Sequence, residues 1–252
     1  MKSMAVFQLK GGVGKTTSAV NLAALAANDG VRTLLWDLDP QGAASWILGI
    51  DAERKQDKIW SAGKPIGRYI QRSRYERLDV LPADLSLRHF HDSVSDKAEA
   101  CQLMTDAISR LAEDYELLLL DCPPMLSPQM EGLLQAVDYL LVPVEPSMLS
   151  IRAYQQCREH LDWVRKRQWL PFVTLIDRRK PAHIEWVRTQ APLMPELLPT
   201  VVNHSASAER MLEDREPIVC SQPHVPLARN YAALWATVSE RTGIRLPQAE
   251  RQ

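Results

Sequence analysis

Lys10-Gly11-Gly12-Val13-Gly14-Lys15-Thr16-Thr17 follows a short apolar run at 4–9 and opens an Ala- and Leu-rich segment at 16–28 that stops at Gly30. Glycines at this spacing let the backbone turn tightly and aim its N–H groups at phosphate oxygens. A helix that begins at Lys15 adds the positive end of its dipole to the same spot. A strand before and a helix after is the context this chemistry needs. Gly11, Gly12, Val13 and Gly14 would then cradle phosphates, with Thr17 in the first helical turn. Lys15 would reach the β- and γ-phosphates, and the Thr16 hydroxyl would ligate Mg²⁺.

Working outward, apolar runs recur at 33–38, 78–81, 117–120, 139–144 and 172–176, and amphipathic segments fall near 97–113, 127–136, 148–167 and 181–190. Strands apolar on both faces and separated by helix-length segments predict a parallel sheet covered on both sides. The expected fold is therefore α/β: a three-layer, doubly wound, mostly parallel β-sheet with helices on both faces, in the P-loop NTPase class. A last helix is expected at about 227–241, where Tyr231, Leu234, Trp235 and Val238 form a core stripe. No internal repeat or linker stands out, so 1–252 reads as a single domain. The charged stretch 51–77 reads as a surface excursion between the second and third strands.

Composition narrows the field. The chain has 252 residues, 46% hydrophobic and 24% charged, and its 30 basic and 31 acidic residues nearly cancel. A uniformly basic nucleic-acid coat is excluded, as is intrinsic disorder. No apolar run approaches the roughly 18 residues of a membrane span. The four cysteines lack CxxC spacing and read as reduced thiols of a cytosolic protein.

Two carboxylate segments end strands on the same side as the glycine loop. Asp37-Leu38-Asp39-Pro40-Gln41-Gly42 places both aspartates on one side of an extended segment, at the carboxyl edge of the sheet. A carboxylate there can hold Mg²⁺ or orient the water that attacks a γ-phosphate. Four leucines then deliver Asp121 ahead of Cys122-Pro123-Pro124, the arrangement in which a buried strand presents a carboxylate to Mg²⁺. Cys122 reads as a small buried residue.

The octet departs from the usual phosphate loop, with Leu9 where a glycine is normal and an additional lysine, Lys10. In this it resembles the ParA/MinD group of deviant Walker A ATPases. The resemblance implies that Lys10 reaches across a nucleotide-sandwich homodimer to the partner subunit's phosphates, with ATP and Mg²⁺ as cofactors. DxDPQG is similar to the group's switch I, which implies that Asp39 is tied to hydrolysis and Asp37 supports it. DCPP is similar to its switch II. LPAD (81–84), VPVEPS (142–147) and TLIDRR (174–179) fall in the order and spacing of short ParA proteins. Near the adenine the group commonly carries I-P-R, whereas this chain reads Val201-Val202-Asn203-His204, and Asn203 is the adenine contact expected from that segment.

The resemblance leaves three roles: a ParA-type ATPase on DNA, a MinD-type ATPase on a membrane, and a metabolic kinase or synthetase. The proline-broken tail at 243–252 is too short for a basic amphipathic helix on lipid, which argues against membrane. The chain begins almost directly with its first strand, so operator-specific repression through a preceding helix-turn-helix is not expected. Between Arg152 and Arg188 nine basic residues face four acidic ones, while the rest of the chain is net acidic. Such a local face suits weak phosphate contact switched on by dimerisation. Arg178, Arg179, Lys180 and Arg188 are the expected DNA contacts. The reading is a cytoplasmic, nucleoid-associated ATPase that segregates or positions cargo, stimulated by a ParB-like or cargo-adaptor protein.

Overall fold

The computed structural model describes residues 1–60, 65–89, 94, 96–161 and 168–244. Eight strands among them form one sheet: β1 (Lys2–Val6), β2 (Thr33–Asp37), β3 (Gln71–Arg72), β4 (Leu78–Leu81), β5 (Leu117–Asp121), β6 (Tyr139–Val144), β7 (Gln168–Ile176) and β8 (Val201–Asn203). Their spatial order is β3-β4-β2-β5-β1-β6-β7-β8. All described pairings are parallel except that of the two-residue edge strand β3 with β4. This is the mostly parallel, doubly wound sheet expected.

Alternation along the strands feeds two cores. Leu35, Leu119, Leu141 and Phe172 point to one face, where α1 (Lys15–Asn28) and α9 (Pro226–Thr242) cover them. Tyr231, Leu234, Trp235 and Val238 of α9 all lie in that core, as their helical spacing predicts. Leu34, Trp36, Leu118, Leu120 and Val142 point to the other face. There α3 (Lys97–Leu111), α4 (Pro128–Ala136) and α5 (Met148–Leu161) close over them. Both α3 and α4 have side-chain caps, from Asp96 and Ser127 respectively. Gly132 lets these two helices touch, because a Cβ there would collide with the Lys97 carbonyl and the Ala100 side chain.

The elements depart from expectation in several places. β7 starts at Gln168 rather than 172 and β8 lies where no strand was expected. Short helices α2 (Ala43–Ile47), α7 (Ser207–Asp214) and α8 (Ile218–Ser221) also go beyond the sequence pattern, and α6 (Pro181–Gln190) matches it. The 51–77 stretch is more than surface. Its one-turn helices bury Trp60, Ile66 and Tyr69, and the Trp60 ring stacks on Trp36 with centroids 5.3 Å apart. Arg165, Lys166 and Arg167, three of the nine basic residues counted between Arg152 and Arg188, and the tail from 245 lie outside the described residues.

Candidate nucleotide site

The central strands converge on one edge. β1 lies between β5 and β6, so the loop leaving β1 emerges beside the ends of both. That loop takes two left-handed turns, at Gly12 (φ 73°) and Gly14 (φ 84°), which glycine adopts without steric cost. Gly14 caps α1 with no side-chain partner, and the first turn carries no acidic residue. The helix N-terminus therefore presents bare N–H groups to an anion.

Lys15 is 7% exposed and its ammonium donates to the Lys10 carbonyl at 3.3 Å. Burial holds its amine below the usual lysine range, opposed chiefly by the charge of Asp121. A lysine folded onto its own loop and short of a full counter-charge is poised for an arriving phosphate.

The parallel register pairs Asp37 with Asp121 on the last rung of β2 and β5. Both are 0% exposed, yet their oxygens are used differently. One Asp37 oxygen accepts the Ser45 amide (2.9 Å) and hydroxyl (2.7 Å), and the other accepts the Asp39 amide (3.2 Å). Asp37 thereby ties β2 to α2 and to the turn at Asp39. Neither Asp121 oxygen has a partner at hydrogen-bonding geometry among the described residues, although the Thr16 hydroxyl stands close enough to draw its pKa down. Burial and then the neighbouring Asp37 nonetheless push Asp121 well above the usual carboxyl range, while burial raises Asp37 to about 6.

An orphaned, buried carboxylate beside a threonine hydroxyl at a phosphate loop fits Mg²⁺ that arrives with a nucleotide. No group of three His, Cys, Asp or Glu able to hold a metal by itself occurs among the described residues. That also suits Mg²⁺, which keeps waters and takes one or two protein ligands plus phosphates. Asp39 is half-exposed at the same edge, and its carboxylate accepts the Gln41 amide at 2.9 Å. Cys122 is sealed in the core, where burial pushes its thiol up, so it stays a neutral small residue.

Lys10 lies at the lip. Its ammonium contacts the Glu145 carboxylate and the Ser147 hydroxyl, the latter at 3.2 Å, just beyond the end of β6. Neither partner had an assigned role in the sequence reading. The available signal was topological: β6 neighbours β1, so whatever follows Val144 must meet the phosphate loop. Met125, Met148 and Leu149 are exposed on the segments that follow β5 and β6.

On the far side, a cleft of about 700 Å³ is lined by Ile176, Arg178, Arg179, Asn203, His204 and Ser205. The Asn203 amide group donates to Asn230 at 3.0 Å, while its carbonyl oxygen is buried without a partner among the described residues. Arg178, Arg179, Lys180 and Arg188 are all exposed, but two are already paired. Arg179 forms a two-pronged contact with Asp177, and Arg188 does the same with Glu185. Arg158 is a packing residue: it pairs with Glu196 and stacks on Trp169 at 4.9 Å.

A family model described as an AAA domain matches residues 1–171. The chromosome partitioning protein ParA of Myxococcus xanthus is 34% identical over 160 residues, covering 62% of this chain and 56% of that protein. The sporulation initiation inhibitor protein Soj of Bacillus subtilis is 32% identical over 168 residues, 66% of each. The chain thus spans little more than half to two thirds of the length of these relatives. Among solved structures, Pyrococcus horikoshii MinD with Mg-ADP superposes with a TM-score of 0.82 at 18% identity, covering 98% of this chain and 99% of that one. An ATP complex of Cyanothece McdA gives 0.83 at 18% identity over 99% of both chains. Cobyrinic acid a,c-diamide synthase of Mycobacterium smegmatis, with ADP and magnesium, gives 0.80 at 22% identity over 100% of this chain and 99% of that one. At these identities the structural likeness carries the fold alone. With the family match over more than half its length, and with the glycine loop and both carboxylate segments at one sheet edge, the chain belongs to the ParA/MinD family.

Proposed function

We propose that this chain is a Mg-ATP-dependent ATPase that dimerises on binding ATP, associates with DNA without sequence preference, and segregates or positions a cargo. Hydrolysis would be stimulated by a ParB-like or cargo-adaptor protein, in the cytoplasm and on the nucleoid. The observation that carries this reading is the placement of Lys10. Its own subunit's phosphates already have Lys15, and Lys10 at the lip stays partly exposed beside Ser147, which the exposed Met148 and Leu149 directly follow. A second cation at such a lip suits the phosphates of a facing copy, and the apolar side chains suit its surface.

Mg²⁺, when bound with the nucleotide, neutralises phosphate charge; Thr16 and Asp121 would hold it, with Asp37 in support. Asp37 acts through its bonds to Ser45 and to the Asp39 amide, which fix the turn that presents Asp39. Asp39 orients the attacking water. Gly11 to Gly14, Lys15 and Thr17 bind the phosphates. The unpartnered Asn203 oxygen is an acceptor for the exocyclic amine of adenine in the 700 Å³ cleft.

For DNA, Arg178 and Lys180 have no carboxylate partner among the described residues, so they carry more of the phosphate contact than Arg179 and Arg188. Asp39→Ala tests the whole reading. The variant should bind ATP and remain on DNA after free ATP is removed, while its single-turnover hydrolysis falls ~10²–10⁴-fold, the usual contribution of a positioning or general-base group. Wild-type hydrolysis in this variant would remove Asp39 from the reaction. Turnover that depends on a metabolite, with no DNA association, would instead assign a small-molecule reaction.

A further inference from the structure

Thr174 lies on β7, two strands away from β1, yet its hydroxyl oxygen sits 3.7 Å from where a Cβ on Gly14 would be. The residue is 1% exposed and that hydroxyl has no hydrogen-bond partner among the described residues. A buried hydroxyl left unpaired is costly, so its persistence beside Gly14, a glycine in a left-handed conformation, calls for a partner in another state. The strand is also distorted here. Leu175 is left-handed (φ 55°), an unfavourable conformation for a leucine, and the register of β7 with β8 slips between Val173 and Ile176. Immediately beyond this corner, Ile176, Arg178 and Arg179 line the cleft that also holds Asn203.

We propose that Thr174 is a positioning residue of the phosphate loop, whose hydroxyl gains its hydrogen bond when the Val13–Gly14–Lys15 backbone closes on a nucleotide. The backbone nearest that hydroxyl on the phosphate-loop side is Gly14, where a Cβ would lie 3.7 Å from it, so the loop is the partner within reach. Thr174 then links phosphate occupancy to the Leu175 corner and so to the far-side cleft. The inference rests on the reading of residues 10–17 as the ATP site.

Thr174→Val keeps the shape of the side chain and removes the donor. Without nucleotide, the variant should melt at the wild-type temperature or above, because an unpaired buried hydroxyl has been deleted. Its affinity for ATP and for ADP should fall alike, by about threefold to tenfold, the worth of one hydrogen bond. KM for ATP should rise by the same factor with kcat at saturation within about twofold of wild type, as expected for an interaction equal in ground and transition states. Thr174→Ser should regain wild-type affinity even if the lost methyl lowers its melting temperature. Wild-type affinity in Thr174→Val overturns the proposal, as does weakened binding that Thr174→Ser fails to restore. Lys15→Ala is the control. If it also binds ATP like wild type, the ATP-site reading fails; if it loses binding while Thr174→Val does not, only the role of Thr174 fails.

Discussion

Lys10 is held by Glu145: the ammonium of the lysine that should act on a partner subunit is engaged within its own chain, with both side chains about a quarter exposed. Ser147 accepts a second bond from the same ammonium. To reach another molecule's phosphates, Lys10 must leave these partners. In the proposed dimer Glu145 would therefore set a cost on assembly as well as a place for the lysine to wait.

Glu145→Gln should lower that cost. A partly exposed pair is worth about 0.2–1 kcal/mol and a symmetric dimer would break two of them, so ATP-driven dimerisation should tighten by roughly twofold to thirtyfold. Sedimentation equilibrium over a range of ATP concentrations reads the shift directly. Weaker dimerisation would mean that Glu145 serves the assembled state instead.

Lys15→Ala should abolish detectable ATP binding. It removes the buried cation beside Asp121, and Lys10 is turned toward Glu145 instead. Titration calorimetry with Mg-ATP checks this. Retained binding would move the site elsewhere.

Acidification should act oppositely on the apo protein and on its complex. Burial raises Asp37 to about 6 and, with the neighbouring Asp37, pushes Asp121 well above the usual carboxyl range, so the native state holds these protons more tightly than the unfolded chain. Their stabilising contribution is fully present below the unfolded carboxyl value of about 3.9 and is lost as pH rises through the raised folded values, about 6 for Asp37. From pH 8 to 5.5 these groups thus favour the apo fold, whereas Mg-nucleotide needs them ionised. The rise in melting temperature caused by Mg-ATP should therefore shrink over that range. A constant or growing rise would show that the two carboxyls are not at the Mg²⁺ site.

Arginines in the 152–188 stretch should separate into two classes. Arg158→Ala should lower the melting temperature by ~2–4 °C, as loss of a Trp169 stack and a Glu196 pair worth about 1 kcal/mol would in a chain of this size, and leave DNA binding intact. Arg178→Glu with Lys180→Glu should leave melting unchanged and weaken DNA association, with a shallower salt dependence. Thermal melts and salt-series binding on both variants decide it.

The readable parts of this chain are those where one physical requirement dictates several neighbouring residues. The octet at 10–17 must be glycine-rich to turn and must end in a helix, and Leu117 to Leu120 must be apolar on both faces because a central parallel strand has no exposed side. The unread parts depend on long-range placement. Glu145 and Thr174 fall within the VPVEPS and TLIDRR segments, but nothing local in those segments gives either residue a role, and it is the order β5-β1-β6-β7 that brings them to the phosphate loop. β8 is three residues long, too short to show a period, and Trp60 in the charged 51–77 stretch finds its stacking partner 24 positions away at Trp36. Asp37 and Asp121 were both read as carboxylates for Mg²⁺. What separates them is Ser45, eight residues downstream of Asp37 on α2, whose hydroxyl and amide bond Asp37, whereas Asp121 has only the nearby Thr16 hydroxyl among the described residues.

The central claim is that ATP closes two copies of this chain through Lys10 and that the closed form holds DNA. Sedimentation velocity with a labelled duplex of arbitrary sequence tests it most directly, comparing wild type and Lys10→Ala with no nucleotide, with Mg-ADP and with Mg-ATP. Wild type should form a dimer on DNA with Mg-ATP alone, released as salt rises. Lys10→Ala should bind ATP yet stay monomeric and off the duplex. A Lys10→Ala protein that dimerises on DNA like wild type, or wild type that holds DNA equally without nucleotide, would contradict it.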